Sequence, residues 1–371
     1  MRIALFVHSL LSDWNHGNAH FLRGVATELV SRGHDVRIFE PRDAWSLQNL
    51  LADDPQRGEK ALGGFHRAYP ALTSERYDLA ALDLDEALDG AGLVIVHEWN
   101  DHGLVRRIGE HRRTSDYRLL FHDTHHRSVT APDSMAAYDL SGYDGVLAFG
   151  GVIRDLYLDR GWAERAWTWH EAADTRVFHP IPGEPEDGDL VWIGNWGDGE
   201  RTAELEAFLL APAADAGLPL DIYGVRYPEE AKRLLARNRA LYRGWLPNAR
   251  APEVFARHLA TVHVPRRFYV EHLPGIPTIR VFEALACGIP LVSAPWSDAE
   301  DLFRPGRDYL VAKDRRQMTS YLKLLRADAD VRAELVRSGL ETIRARHTCA
   351  HRVDELMTIT ARLAAPARWP A

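Results

Sequence analysis

An α/β protein of two Rossmann-like domains is predicted, and three observations predict it. The chain opens on a short apolar strand, a polar loop, an amphipathic helix and a second strand, the order of a βαβ unit in a parallel sheet. The same order restarts at Asp189. Between the two lies Ile181–Gly188, rich in proline, glycine and acidic residues, which is a linker composition. A chain of 371 residues is long enough for two ordinary cores. The expected domains are 1–180 and 189–350, with 351–371 as a C-terminal helix and tail.

In the first domain, Arg2–His8 reads as a buried strand and Ser9–Asn18 as a polar loop. Ala19–Arg32 is a helix with Phe21, Leu22, Val25, Ala26, Leu29 and Val30 on one face, and Asp35–Glu40 is the next strand. The loop after a first strand is where such sheets bind ligands, so Gly17 and Asn18 are candidates, with a plain turn glycine as the alternative. That loop lacks Gly-x-Gly-x-x-Gly, and the chain has no Gly-x-x-x-x-Gly-Lys-Ser/Thr, which argues against a dinucleotide or P-loop site. Arg42–Ala91 holds helices, with Gly63-Gly64 in a loop. Asp83-Leu84-Asp85 matches a metal-binding pattern but sits at a helix start, where acidic residues complement free N–H groups.

Leu93–His97 and Arg118–Phe121 are further strands, and the second ends in His122-Asp123-Thr124-His125-His126. These residues lie on a loop without cysteine or regular spacing, a poor metal set. Polar groups at the carboxyl end of a parallel strand instead point into the ligand crevice. His122 and Asp123 are therefore candidates to face a ligand, with a structural, hydrogen-bonded histidine as the alternative for His122. Gly145–Phe149, Val152–Arg160 and Arg165–His170 complete the domain as strand, helix and strand.

In the second domain, Asp189–Ile193 is a strand, Gly194–Gly199 a glycine-containing loop and Arg201–Leu210 a helix. Gly194, beside Asn195, and Gly197 let backbone N–H groups approach an anion. Arg201 is the candidate for a diphosphate oxygen, with a solvent-facing charge as the alternative. Leu220–Gly224 and Thr261–Pro265 are strands, Pro228–Arg239 a helix, and Arg266-Arg267 a basic pair.

Pro277–Ala294 is the most informative stretch. Pro277 and Thr278 suit a helix start, Val281, Phe282, Ala284 and Leu285 form an apolar face, Gly288 suits the positive φ after the last turn, and Pro290 blocks continuation. Leu291–Ser293 then reads as a core strand. Arg280 and Glu283 stand off the packing face. The helix start at Thr278 is a natural phosphate seat. Glu283 lies where an attached ribose would present its diol, and a carboxylate accepts both hydroxyls. Asp298–Phe303 reads as a short helix and Tyr309–Ala312 as a strand. Gln317–Leu325, Val331–Arg346 and His351–Leu363 follow as helices.

Phe282-Glu283-Ala284-Leu285-Ala286-Cys287-Gly288-Ile289-Pro290-Leu291-Val292 resembles the nucleotide-sugar signature of retaining GT-B glycosyltransferases. Pro277-Thr278 through Glu283, with Ile193-Gly194-Asn195-Trp196, is similar to their CgeB-like spore-maturation branch. The resemblance implies two domains facing a cleft, with the C-terminal helix crossing back to the first. It implies transfer of a sugar from a nucleoside-diphosphate sugar to an acceptor hydroxyl, with retention and without metal or other cofactor. A UDP-sugar is the expected donor, and a glycan, glycolipid or small molecule the acceptor.

The same resemblance gives Glu283 the donor ribose and Gly17-Asn18 an approach to donor or acceptor. It places His122 at the sugar near its reacting carbon, which makes His122 and the adjacent Asp123 the catalytic candidates. It gives Gly244, Trp245 and Leu246 the base, with core packing as the alternative for Trp245. Arg201, completed by Arg266 or Arg280, clamps the diphosphate. Many relatives carry a second Glu eight positions before the one matching Glu283, contacting the transferred sugar; here that position is Gly275. Two alternatives follow, a catalytically silent nucleotide-sugar-binding protein and a nucleotide-sugar 2-epimerase of the same architecture.

A net charge of −8 and a pI near 6.1 argue against a dedicated nucleic-acid binder. Among the 45 basic residues only Lys60, Lys232, Lys313 and Lys323 are lysines, so a phosphate clamp must be mainly arginine. Cys287 and Cys349 give no disulfide framework and suit a reducing compartment. The N-terminal apolar run is too short for a signal peptide, and no stretch approaches the ~20 apolar residues of a membrane span. A cytoplasmic protein is expected.

Overall fold

The computed structural model describes residues 1–197 and 199–363. The chain forms two compact units, Met1–Glu171 with the segment from Cys349, and Ala172–Thr348. In the first unit, β1 (Arg2–Phe6), β2 (Asp35–Pro41), β3 (Glu75–Tyr77), β4 (Ala91–His97), β5 (Arg118–Asp123), β6 (Gly145–Ala148) and β7 (Ala166–Thr168) form one sheet. Its order is β3-β2-β1-β4-β5-β6-β7, with every pairing parallel. In the second, β8 (Gly188–Ile193), β9 (Leu220–Tyr223), β10 (Ala240–Gly244), β11 (His258–His263), β12 (Leu291–Ser293) and β13 (Leu310–Val311) form a sheet. Its order is β10-β9-β8-β11-β12-β13, again all parallel.

Both sheets wind outward from their first strand, the Rossmann order, as the sequence predicts. The winding direction switches between β1 and β4 in one unit and between β8 and β11 in the other. The loops after these strands diverge there, at the edge where such folds bind ligands. Ile3–Phe6 of β1 are buried, as expected of a parallel strand covered on both faces. In the second unit, Leu190, Trp192, Ile222, Val262 and Val292 of the sheet pack with Leu205, Leu209, Met318 and Leu322 of the helices.

The change of unit falls at Glu171, ahead of the Ile181–Gly188 stretch where composition places it. Ala173 N–H donates to His347 O at 2.9 Å, and Pro180 lies against Gly288, so residues 172–180 pack with the second unit. The Cys349–Arg362 helix joins the first unit, as the crossing-back expectation requires. Arg32 pairs with Asp354 at 2.5 Å, and Trp169 Nε1 donates to Arg352 O at 2.8 Å. Residues 364–371 of the expected tail lie outside the described residues.

Three local expectations are corrected. Gly63-Gly64 lies inside the Pro55–Ala68 helix rather than a loop. Asp54 caps that helix by accepting from Arg57 N–H at 3.0 Å, and burial of Phe65 outweighs the glycine pair. Asp298–Phe303 is not helical: the Asp298 carboxylate accepts from Leu302 N–H (3.0 Å) and Phe303 N–H (2.8 Å), closing a turn through its side chain. The helix expected over Arg201–Leu210 starts at Thr202, widens into a π-helical turn at Glu206–Leu210 and continues to Ala216. Asp83 accepts from the N–H groups of Asp85 and Glu86, so the Asp-x-Asp stretch is a helix cap.

Gly288 follows the last residue of the Ile279–Cys287 helix at φ +70°, and a Cβ there would lie 3.2 Å from Val336 Cγ1 and 3.3 Å from Pro180 Cγ. Gly288→Ala is therefore expected to destabilise the second unit by about 1–2 kcal/mol, the cost of a left-handed non-glycine residue. Chemical denaturation with an unchanged far-UV spectrum checks this.

Candidate functional site

At the switch point of the second unit, Arg201 joins the two diverging loops. Its Nη1 donates to Val264 O after β11 at 3.1 Å, and its Nη2 donates to Asn195 O after β8. The guanidinium lies over the Trp192 ring, 5.0 Å from its centroid, and is buried. Burial, then the neighbouring charge of Arg266 and finally that of Arg280, lower its pKa to about 10. At neutral pH it is a desolvated cation with two further cations nearby. Arg266 pairs with Glu200 at 3.2 Å. The alternative of a solvent-facing Arg201 is ruled out by its burial.

Beside this group starts the Ile279–Cys287 helix. Thr278 is extended and makes no side-chain cap to the first turn. An N-terminus without a side-chain cap carries the partial positive charge of its leading N–H groups. Glu283 is fully buried one turn further in. Its Oε1 accepts from Asn248 Nδ2 at 2.8 Å, and its Oε2 pairs with Arg280. Arg280 thus faces the carboxylate here rather than standing apart as a phosphate ligand. Asn248 was missed by sequence reasoning; its one signal is that it follows the Gly244-Trp245-Leu246 stretch by two residues.

Other predicted residues have structural employment. Gly194 N–H donates to Tyr223 O at 2.8 Å, its carbonyl accepts from Tyr227 Oη at 2.8 Å, and the Trp192 ring fills the space of a side chain. Its N–H is thus used within the sheet and does not serve an anion, a correction to the loop expectation. Asn195 Oδ1 accepts from Val225 N–H at 2.9 Å, tying the loops after β8 and β9. Gly244 takes φ +76°, and its carbonyl accepts from Gly224 N–H at 2.9 Å. Trp245 is buried and Leu246 half-buried. Gly275 takes φ +85° and donates to Ser297 O at 2.7 Å; a Cβ there would lie 2.9 Å from Glu300 Oε1. The Glu300 carboxylate therefore borders position 275.

In the first unit, Gly17 is exposed, and Asn18 Nδ2 donates to Glu171 Oε1 at 3.0 Å. His122 and Asp123 are fully buried at the end of β5. The His122 ring packs edge-on with His97 (4.6 Å), Trp169 (4.7 Å) and Phe21 (6.0 Å). It presents no surface to a sugar as it stands, which corrects the strand-end expectation: the pleat turns its ring toward the Ala19–Ser31 helix. Burial, then His97, holds it neutral. Burial raises Asp123 to about 7, and burial together with Asp123 raises Glu98 well above the usual carboxylate range. Among the described residues no three His, Cys, Asp or Glu side chains converge as a metal-binding group.

This architecture of two Rossmann-like units is the fold of GT-B glycosyltransferases. Residues 201–358 match the family model described as glycosyl transferase-like. The chain is similar in structure to sucrose-phosphate synthase of Thermosynechococcus elongatus (TM-score 0.64, 16% identity, 98% of this chain and 99% of that one). It is similar to HepE of Anabaena, a structure in complex with UDP and glucose (0.65, 13%, 98% and 100%). It is also similar to the DNA-modifying β-glucosyltransferase of bacteriophage T4, studied with uridine diphosphoglucose (0.62, 13%, 98% and 100%). Among curated proteins no sequence matches significantly. No helix among the described residues is long and apolar enough to cross a membrane.

The buried carboxyl of Asp123 gives a pH signature. The native state holds this proton up to about pH 7, whereas the unfolded chain releases it near its ordinary value of 3.8. Between these limits this carboxyl binds more proton in the native state, so its contribution to stability falls as pH rises. Glu98 adds a contribution of the same sign, and the buried neutral histidines His8, His97 and His122 contribute the opposite slope. Asp123→Asn removes the falling contribution and is expected to make the slope of unfolding midpoint against pH more positive than in the unaltered protein; an unchanged slope would refute the assignment.

Proposed function

We propose that the protein transfers a sugar from a UDP-sugar to an acceptor hydroxyl. The observation that carries this reading is the arginine group at the second unit's switch point. Arg201 is fixed by carbonyls of both loops, Arg266 and Arg280 are close enough to depress its pKa, and a helix without a side-chain cap starts beside them. A diphosphate is the ligand that such a set of charges fits.

In the proposed reaction the bond between the anomeric carbon and the β-phosphate oxygen breaks. The acceptor oxygen bonds that carbon, its proton is released, and UDP departs. Arg201, Arg266 and the N–H groups after Thr278 stabilise the charge on the leaving oxygen. Glu283 accepts the ribose hydroxyls, which replace Arg280, and Arg280 turns to the phosphates. Backbone groups of Gly244 and Leu246 meet the base while Trp245 packs behind them. The structural neighbours described with UDP or uridine diphosphoglucose support the choice of base. Retention, and arginine rather than metal as the counter-charge, belong to the same reading. The Glu300 carboxylate, bordering Gly275, takes the sugar contact that relatives place at that position.

Calorimetric titration with UDP, GDP, TDP, CDP and ADP tests the donor site. UDP is expected to bind selectively, and Arg266→Ala and Glu283→Gln each to weaken it about tenfold, or 1.4 kcal/mol. Absence of binding by all five would sink the reading. Glu300→Gln is expected to lower turnover of the UDP-sugar while leaving UDP affinity unchanged; equal loss of both would remove Glu300 from the sugar.

A further inference from the structure

Two indoles stand half-exposed at the ligand-binding edge of the first unit, Trp45 and Trp99, each 44% exposed. Trp99 lies on the loop after β4, Trp45 opens the Trp45–Asp53 helix that follows β2, and the two share one neighbour on the loop after β1. The His8 ring lies 6.1 Å from that of Trp45 and 6.4 Å from that of Trp99. Around them, Trp14 packs edge-on with Trp45 at 5.4 Å, His16 with His8 at 5.3 Å, and His125 with Trp99 at 5.2 Å. Arg127 stacks its guanidinium on Trp99 at 4.6 Å. Four adjacent strands thus contribute aromatic rings to one edge, across the point where the winding switches.

The rings are held by buried polar groups next to them in the chain. Ser46, after Trp45, donates to Trp14 O at 2.7 Å and lies 2.9 Å from Ser12 Oγ. The loop after β1 is fixed from beneath. Glu40 accepts from Leu10 N–H at 2.7 Å, Arg23 Nε donates to Leu10 O at 2.9 Å, and Arg23 pairs with Asp13 at 2.7 Å. On either side of Trp99, the Glu98 carbonyl accepts from Tyr138 Oη, and Asn100 Nδ2 donates to Phe6 O at 2.9 Å. Tryptophans exposed on a helix start and a loop anchored this way cost apolar exposure, and that arrangement marks a preorganised recognition surface.

The chemistry of the surface selects its ligand. Burial lowers His8 to about 4 and His97 to about 3, and burial, with His8, Arg23 and His97, holds His16 well below its ordinary value. Neutral imidazoles each offer one donor and one acceptor. Trp14 Nε1 and His16 Nε2 are buried without hydrogen-bond partners among the described residues. Aromatic faces carry a negative quadrupole that favours polarised C–H groups. Neutral imidazoles beside two such indoles, one of them already backed by the Arg127 guanidinium, match a pyranose, whose C–H face is apolar and whose rim is hydroxylated.

We propose that Trp45, Trp99 and His8 form a stacking platform for an uncharged sugar ring, which makes the acceptor a neutral glycan. The assignment rests on the glycosyl-transfer reading and names its acceptor class. Saturation-transfer NMR and tryptophan fluorescence test it on the full chain with maltopentaose, cellopentaose, polygalacturonate fragments and p-nitrophenol, alongside UDP calorimetry. A neutral pentasaccharide is expected to bind. Trp45→Ala and Trp99→Ala should each weaken it about tenfold, with UDP affinity and melting temperature held, as befits exposed hot-spot aromatics. Trp99→Phe should restore part of the loss. Binding of neither pentasaccharide, preference for the anionic fragments or the phenol alone, or indifference to both substitutions would overturn the platform. Loss of UDP binding in the unaltered protein would overturn the transfer reading instead and leave the glycan titration to decide the platform by itself.

Discussion

A parallel sheet that winds outward in both directions from its first strand must leave two neighbouring loops without a common crossover. In this chain the constraint acts twice, after β1 and β4 and after β8 and β11. Everything placed at the two edges follows from it. The loops there are free to diverge, and the residues that bridge or line them are the ones with unusual environments. Arg201 bridges one pair of loops through two carbonyls; His8 and Trp99 line the other.

The environments share an energetic feature. Burying a charge is costly unless it is paired, and removing one partner leaves the other stranded. Glu283 meets this by pairing with Arg280 and accepting from Asn248, Arg201 by donating to carbonyls, and Asp123 by keeping its proton. The first two sit at the edge of the second unit, where a ligand could exchange with their present partners. Asp123 and His122 are different: enclosed by Tyr157, Trp169 and Phe21, they tune the first unit from inside. A carboxyl that keeps its proton up to about pH 7 is compatible with such a dry setting, whereas an ionised one would have to be matched.

Much of the fold was legible because its signals are local. Apolar runs marked the strands, and Gly288 and Pro290 marked the end of the Ile279–Cys287 helix. The failures arise where distant contacts overrule local preference. Gly63-Gly64 stays helical because Phe65 is buried, and Asp298 closes by itself a turn that otherwise resembles a helix start. For the site, residue type and strand-end position found Arg201 and Glu283 but not their partners. Asn248 lies 35 residues before Glu283, with no periodicity connecting them. The pleat decides which way His122 faces, and strand-end position alone does not reveal that. Trp45 and Trp99 carry no local signature at all; only the topology that sets β2, β1 and β4 side by side brings each beside His8.

The chain enters the second unit after Glu171 and leaves it at Thr348, and its Cys349–Arg362 helix packs on the Ala19–Ser31 helix of the first. The consequence concerns biosynthesis. A ribosome emits the seven-stranded sheet long before the helix that covers part of it. Until residues 349–362 emerge, the apolar flank of the Ala19–Ser31 helix and the Trp169 indole lack their final cover. The second unit can close as soon as its own residues are out, so the half that starts first is completed last. A nascent chain stalled within the second unit therefore exposes a sticky first half, which gives chaperones a defined interval in which to act.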